Sequence, residues 1–149
     1  MEVTASVSTL LNDKNPNVWT VAPRATVFEA IEMMAEKNVG ALPVVDGGEL
    51  IGVISERDYT RNVILKGKSS KETQVREIMS GELLTAHPGD GVVECMRLMT
   101  EKRVRHLPVV DGGKMIGILS IGDLVKWIIS AQSATIDHLT RYVYGEPSE

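Results

Sequence analysis

Leu42-Pro43-Val44-Val45-Asp46-Gly47-Gly48 returns 65 residues later as Leu107-Pro108-Val109-Val110-Asp111-Gly112-Gly113. Extending that shift outward lays Thr20–Ile64 on Thr85–Ile129 without a gap, with 20 of the 45 aligned positions identical. A duplication of this density defines two copies of one unit and takes priority over any single motif. Glycine beside aspartate supplies the positive φ angles of a tight hairpin, so each heptad predicts the turn between two antiparallel strands. The returning strands, Leu50–Ile54 and Met115–Leu119, are nearly all apolar. That pattern predicts strands covered on both faces.

Working outward, Val27, Ala30, Ile31 and Met34 follow the spacing of one helix face, and Val92, Cys95, Met96 and Met99 repeat it. Cys95 thereby takes the place of Ala30, which points to a small core residue rather than a reactive thiol. Thr20-Val21 and Thr85-Ala86 predict short first strands, ended by Pro23 and Pro88. A last helix is predicted from about Glu56 to Leu65 and from about Ile121 to Ser130. The unit is strand–helix–strand–strand–helix, a mixed α/β (α+β) class. A polar linker with three lysines, Lys66–Gln74, separates the copies. Val7–Leu11 and Val75–Met79 predict a short leading helix before each. The expected division is 1–17 leading helix and loop, 18–65 first repeat, 66–82 linker and second leading helix, 83–130 second repeat, and 131–149 C-terminal helix and tail. Ile136, Leu139 and Val143 give that C-terminal helix an apolar stripe, and 145–149 should fray. Neither copy buries much apolar surface alone, so the two sheets are expected to pack against each other.

The bulk numbers narrow the function. A formal net charge of −4 argues against general nucleic-acid affinity. No apolar run approaches the roughly 18 residues that span a bilayer. Glu2-Val3-Thr4-Ala5 after Met1 lacks the basic and apolar regions of a secretory signal. With one cysteine, a reducing, cytoplasmic setting is expected. His87, His106 and His138 lie far apart without a second ligand at metal spacing, so no metal is expected. Trp19 and Trp127 read as packing residues.

Function concentrates where each returning strand ends: Gly52-Val53-Ile54-Ser55-Glu56-Arg57-Asp58, repeated as Gly117-Ile118-Leu119-Ser120-Ile121-Gly122-Asp123. Serine at a helix N-cap with an acidic residue three positions on is a capping box. The same place suits a ligand. A helix N-terminus favours phosphate, and a carboxylate beside it accepts hydrogen bonds from vicinal ribose hydroxyls. Both readings stand on the spacing; duplication of the whole pattern favours a paired binding site.

Taken together, these repeats resemble cystathionine β-synthase (CBS) domains, and their pairing resembles a CBS pair, or Bateman module. The glycine–hydrophobic–x–serine–x–x–aspartate ending resembles that family's ribose-binding motif, complete in both copies. The Tyr59-Thr60-Arg61 and Lys68-Ser69-Ser70-Lys71 segments are similar to small stand-alone CBS-pair proteins. The resemblance implies a pseudo-twofold pair with two clefts and a homodimer. It implies a regulatory, non-enzymatic adenine-nucleotide sensor acting on an unknown effector protein. AMP is the foremost ligand; ADP, ATP, NAD and S-adenosylmethionine are further ones. Carried over by residue, Asp58 and Asp123 hold the ribose, assisted by Ser55 and Ser120. Val53 and Ile118 line the adenine with Val39 and Val104 opposite, and Thr20 and Thr85 close the pockets. Arg105-His106 resembles the basic pair that meets phosphate in the γ subunits of AMP-activated protein kinase. The first copy has Gly40-Ala41 there, with Arg57 as the substitute cation. Phosphate preference is therefore expected in the second copy's site. The competing function, from a different class, is a ligand-independent dimerisation and protein-interaction module.

Overall fold

The computed structural model describes residues 5–12, 17–80 and 82–131. Its framework is two hairpins of one design. Strand β1 (Ala41–Asp46) pairs antiparallel with β2 (Glu49–Ser55), and β3 (His106–Asp111) pairs with β4 (Lys114–Ser120). Gly47 and Gly48 sit at φ 60° and 84°, and Gly112 and Gly113 at 59° and 81°, the left-handed pair that a two-residue turn demands. The register places Ala41 opposite Ser55 and His106 opposite Ser120. Both hairpins also carry the same bulge, after Val44 and after Val109. The duplication therefore extends to backbone irregularities.

The expected first strands shrink to one residue each. Val21 bridges Val44 and Ala86 bridges Val109, both in parallel. Val21 N donates to Pro43 O at 3.0 Å and Ala86 N to Pro108 O at 2.9 Å. Pro23 and Pro88 follow two residues later and cannot donate to a ladder, which stops the strand there.

Helix α2 (Val27–Lys37) follows the first of these bridges. Its N-cap, Thr26, accepts Glu29 N at 3.1 Å through Oγ1, and it ends on Asn38 at φ 56°. Helix α5 (Val92–Lys102) matches it and ends on Arg103 at φ 55°. After β2, helix α3 (Glu56–Tyr59) runs into a π-helical turn, Thr60–Ile64, in which Leu65 N donates to Thr60 O at 3.1 Å. The equivalent helix, α6, covers residues 121–131 without such a turn. The expected C-terminal stripe Ile136–Leu139–Val143 and the tail lie outside the described residues.

Two short helices depart from the sequential plan. Helix α1 (Val7–Asn12) packs on the second copy, and α4 (Val75–Ile78) packs on the first. The hydrogen bonds repeat the exchange: Val7 N reaches Asp90 O at 2.9 Å and Val92 N reaches Ala5 O at 3.0 Å. In the other unit, Arg76 N reaches Pro23 O at 3.0 Å and Val27 N reaches Thr73 O at 2.8 Å. The buried side chains form two separate clusters. One joins Val7 and Leu10 to Cys95, Met99, Leu107, Leu119 and Leu124; the other joins Val75 and Ile78 to Val27, Met34, Leu42, Ile54 and Val63.

Two expectations are corrected here. The sheets do not share one core; each closes its own, completed by the helix that precedes the other copy. Nor are the returning strands covered on both faces. Ile54 and Leu119 are fully buried, whereas Val53 and Ile118 are half-buried and Ile116 is exposed. On β2 that outer face gives Val53 to a cleft.

Candidate functional site

The motif glycine is a packing requirement. A Cβ on Gly52 would stand 2.9 Å from Met79 Sδ and 3.3 Å from Ser80 O, and one on Gly117 would stand 2.8 Å from Leu11 Cδ2. The chain leaving α4 can then lie along β2, where Ser80 N donates to Val53 O at 3.0 Å. Position 52 thus brings Ser80, Glu82 and Leu84 to the rim of the site.

At the end of β2, Ser55 and Asp58 form a complete capping box. Asp58 N donates to Ser55 Oγ at 3.2 Å, and Asp58 Oδ2 accepts Ser55 N at 2.9 Å and Ser55 Oγ at 3.0 Å. Both returning bonds use Oδ2; among the described residues no hydrogen bond reaches Oδ1. Burial lifts the Asp58 carboxyl above the ordinary 3.8, opposed by the Ser55 hydrogen bonds and the Arg57 charge. Ser120 and Asp123 reproduce the box, with Ser120 N to Asp123 Oδ2 at 2.8 Å and Asp123 N to Ser120 Oγ at 3.2 Å.

The Asp58 box faces a cleft of about 660 Å³ between the two copies. The first copy contributes Gly40, Val53, Ser55, Arg57, Asp58 and Arg61, and the second contributes Arg103, Val104, Arg105 and His106. The volume lies within the roughly 300–1,000 Å³ of small-molecule sites. Arg57 Nη1 spans it, donating to Arg103 O at 3.2 Å. A Cβ on Gly40 would lie 3.6 Å from His106 Nε2, so the start of β1 and the start of β3 meet at its floor.

This grouping revises the expected one. Val104, Arg105 and His106, expected at the serine–aspartate pair of their own copy, line the cleft of the other. His106 pairs with Ser120 in the ladder, yet its side chain lines the Asp58 cleft. Val39 lines a smaller hollow of about 270 Å³ with Met34, Asn38 and Glu56, and Ala41 is buried in the ladder opposite Ser55. Thr20 and Thr85 are exposed and outside the lining of the Asp58 cleft. Ile118 is half-buried on β4 beside the Asp123 box.

Glu56, Arg61, Asn62, Ser80, Glu82, Leu84 and Arg103 also line the cleft, beyond the residues expected from the sequence. Arg61 had a signal, since it follows Arg57 by one helical turn. Arg103 had none, because only the pairing of the copies brings it there.

The remaining candidates have structural places. Cys95 is buried, and burial, then Asp90 and Glu94, push its thiol up to about 11. Lys37 Nζ lies 4.2 Å from the Trp19 ring centroid, and Trp127 packs against the second core. His87 Nε2 lies 3.7 Å from Asp111 Oδ1. Among the described residues, no helix is long and apolar enough to cross a membrane.

Comparison with known proteins agrees with this architecture. The CBS domain matches residues 7–64 and again 75–130. The chain is 44% identical over 125 residues to the CBS domain-containing protein CBSX3, mitochondrial, of Arabidopsis thaliana, covering 80% of this chain and 61% of that relative's length. A CBS-domain protein from Burkholderia ambifaria MC40-6 superposes with a TM-score of 0.83 at 49% identity, covering 86% of this chain and 96% of that one. The CBS domain pair of protein MJ0100, solved in complex with 5′-methylthioadenosine and S-adenosyl-L-methionine, superposes with a TM-score of 0.76 at 25% identity, over 86% and 98% of the two chains. Duplicated hairpins, exchanged leading helices and a cleft-facing serine–aspartate box thus meet an independent match in both halves, and the chain belongs to the CBS-domain family as a CBS pair.

Proposed function

We propose that this CBS pair is a non-enzymatic regulatory module that binds an adenine nucleotide in the Asp58 cleft and passes occupancy to a partner protein. The observation that carries the reading is the geometry of Asp58. Its Oδ2 completes the cap, while Oδ1 remains as an acceptor beside a cleft large enough for a nucleoside. Vicinal ribose hydroxyls are the donors that such an oxygen suits. Half-buried Val53 and Val104 offer apolar surface to a purine, and Arg57, Arg105 and His106 offer cations to phosphate. The adenosine-containing ligands of the MJ0100 pair support the same ligand class.

Calorimetric titration of AMP against wild type and Asp58→Ala tests it. Loss of hydrogen bonds to a charged acceptor, about 1.5–3 kcal/mol each, should weaken binding at least tenfold. If Asp58 serves only as a cap, the variant instead loses about 1 kcal/mol of stability and binds as wild type does.

Homodimerisation is part of the same proposal. Ile64 and Leu65 at the end of the first copy's last helix, and Val125 and Ile129 on α6, are exposed at 54%, 74%, 44% and 58%. Pseudo-equivalent helices that both expose apolar side chains suit a second copy of the chain.

A further inference from the structure

Resting on the nucleotide reading above, we propose that the Asp58 cleft is specific for an adenosine polyphosphate, a ligand with two or more phosphates, and that its pseudo-equivalent at Asp123 is not. Four arginines line the Asp58 cleft: Arg57 and Arg61 from the helix after β2, and Arg103 and Arg105 from the segment between α5 and β3. His106 adds a fifth basic group.

Among the described residues, none of the four guanidiniums is ion-paired with a carboxylate. Of the three acids in the lining, Glu82 turns to Lys102 at 3.6 Å, Asp58 is occupied by its capping box, and Glu56 sets one carboxylate against the four arginines. Arg57 and Arg61 stand one turn apart on a helix, where like charges repel. Converging cations without carboxylate partners raise the local concentration of anions, and each guanidinium holds a phosphate through two parallel hydrogen bonds.

The internal duplication supplies the control. Shifted by 65 residues, Arg57, Arg61 and the Arg103, Arg105, His106 group correspond to Gly122, Lys126 and Asn38, Gly40, Ala41. The serine–aspartate box survives on both sides, but one cation replaces five basic positions. Ribose recognition was duplicated; charge for a phosphate chain was not. A phosphate monoester carries about two negative charges near neutrality, which two arginines neutralise. Four, less one set against Glu56, leave three, which call for a longer chain. A sulfonium nucleoside, which is cationic, is the worst match.

The test is calorimetry without divalent metal on Asp123→Ala, which leaves the Asp58 cleft as the competent site. Adenosine, AMP, ADP, ATP, S-adenosylmethionine and inorganic tripolyphosphate are titrated in turn. Affinity is expected to rise at least fivefold with each phosphate after the first, with S-adenosylmethionine weakest and tripolyphosphate at least a hundredfold weaker than ATP. Adding Arg57→Gln and Arg105→Gln should reduce the ATP-to-adenosine affinity ratio at least tenfold. Arg61→Gln alone should reduce it at least threefold, which preserves a readout if the combined variant unfolds. Equal affinities for AMP and ATP, tripolyphosphate binding as tightly as ATP, or a ratio that survives the arginine substitutions would overturn the proposal. Failure of the nucleotide reading is distinct: no adenosine compound binds, or binding to Asp123→Ala persists when Asp58→Ala is added.

Discussion

Asp58 does two jobs with one carboxylate, and its ionisation links them. Burial raises its folded pKa above the unfolded value. The native state therefore keeps a proton over a window in which the unfolded chain has released it. Stability from this group is full below the ordinary carboxylate value and falls as pH rises through the raised pKa. Ligand binding runs the other way, since donation from ribose hydroxyls needs the carboxylate. Adenosine carries no phosphate for His106 to sense, so it isolates Asp58. Its affinity should decline several-fold as pH falls from neutrality into the acid range, beginning above the usual carboxylate value. Calorimetry at matched ionic strength checks this, and Asp58→Asn should be weak and nearly pH-independent. Cys95 gives a second expectation at this scale. With its thiol held near 11 and its side chain buried, alkylation at neutral pH should be at least a hundredfold slower than in urea, read by mass spectrometry.

At the scale of elements, the hairpins and long helices were legible because periodicity and turn chemistry are local. The Asp-Gly-Gly turns and the Val27–Met34 face needed no tertiary information, and the observed φ angles and burial agree with them. The first strands are shorter than Thr20-Val21 and Thr85-Ala86 suggest: a dipeptide does not by itself specify how many ladder bonds its neighbours offer. The π-helical turn at Thr60–Ile64 was not legible, and its counterpart in α6 is regular. The motif glycines are legible as part of a repeat, but their reason is a contact. Gly117→Ala should cost about 1–3 kcal/mol by driving a methyl into Leu11. Leu11→Ala should recover part of that loss, so the double variant is less destabilised than the sum, as measured by urea unfolding.

At the scale of the molecule, stability is distributed by exchange. Leu10 is buried in the core of the second copy although it precedes the first. Leu10→Ala should therefore cost about 2–5 kcal/mol and should loosen the unit around β3 and β4 while β1 and β2 stay protected. Hydrogen exchange resolved by peptide distinguishes this from the opposite pattern, which sequential domains would give. The exposed Ile64, Leu65, Val125 and Ile129 lead to one more expectation, a dimer mass by light scattering at micromolar concentration. Ile129→Lys should shift that mass toward the monomer, because a desolvated lysine at an apolar contact opposes association.

Within the chain, the amino-acid sequence was enough for the duplicated unit, its hairpins, its helix faces and the two serine–aspartate boxes. All of these depend on neighbours within a few residues, where spacing and backbone chemistry decide. Which residues share a cleft was a different matter. Arg105 and His106 lie nearest Ser120 and Asp123 by copy and by register, yet they line the cleft of Ser55 and Asp58. Leu10 and Val75 likewise belong to the core of the other copy. Those assignments arise only when the halves pack, because two apolar cores, each too small alone, close by borrowing a helix across the pseudo-twofold pair.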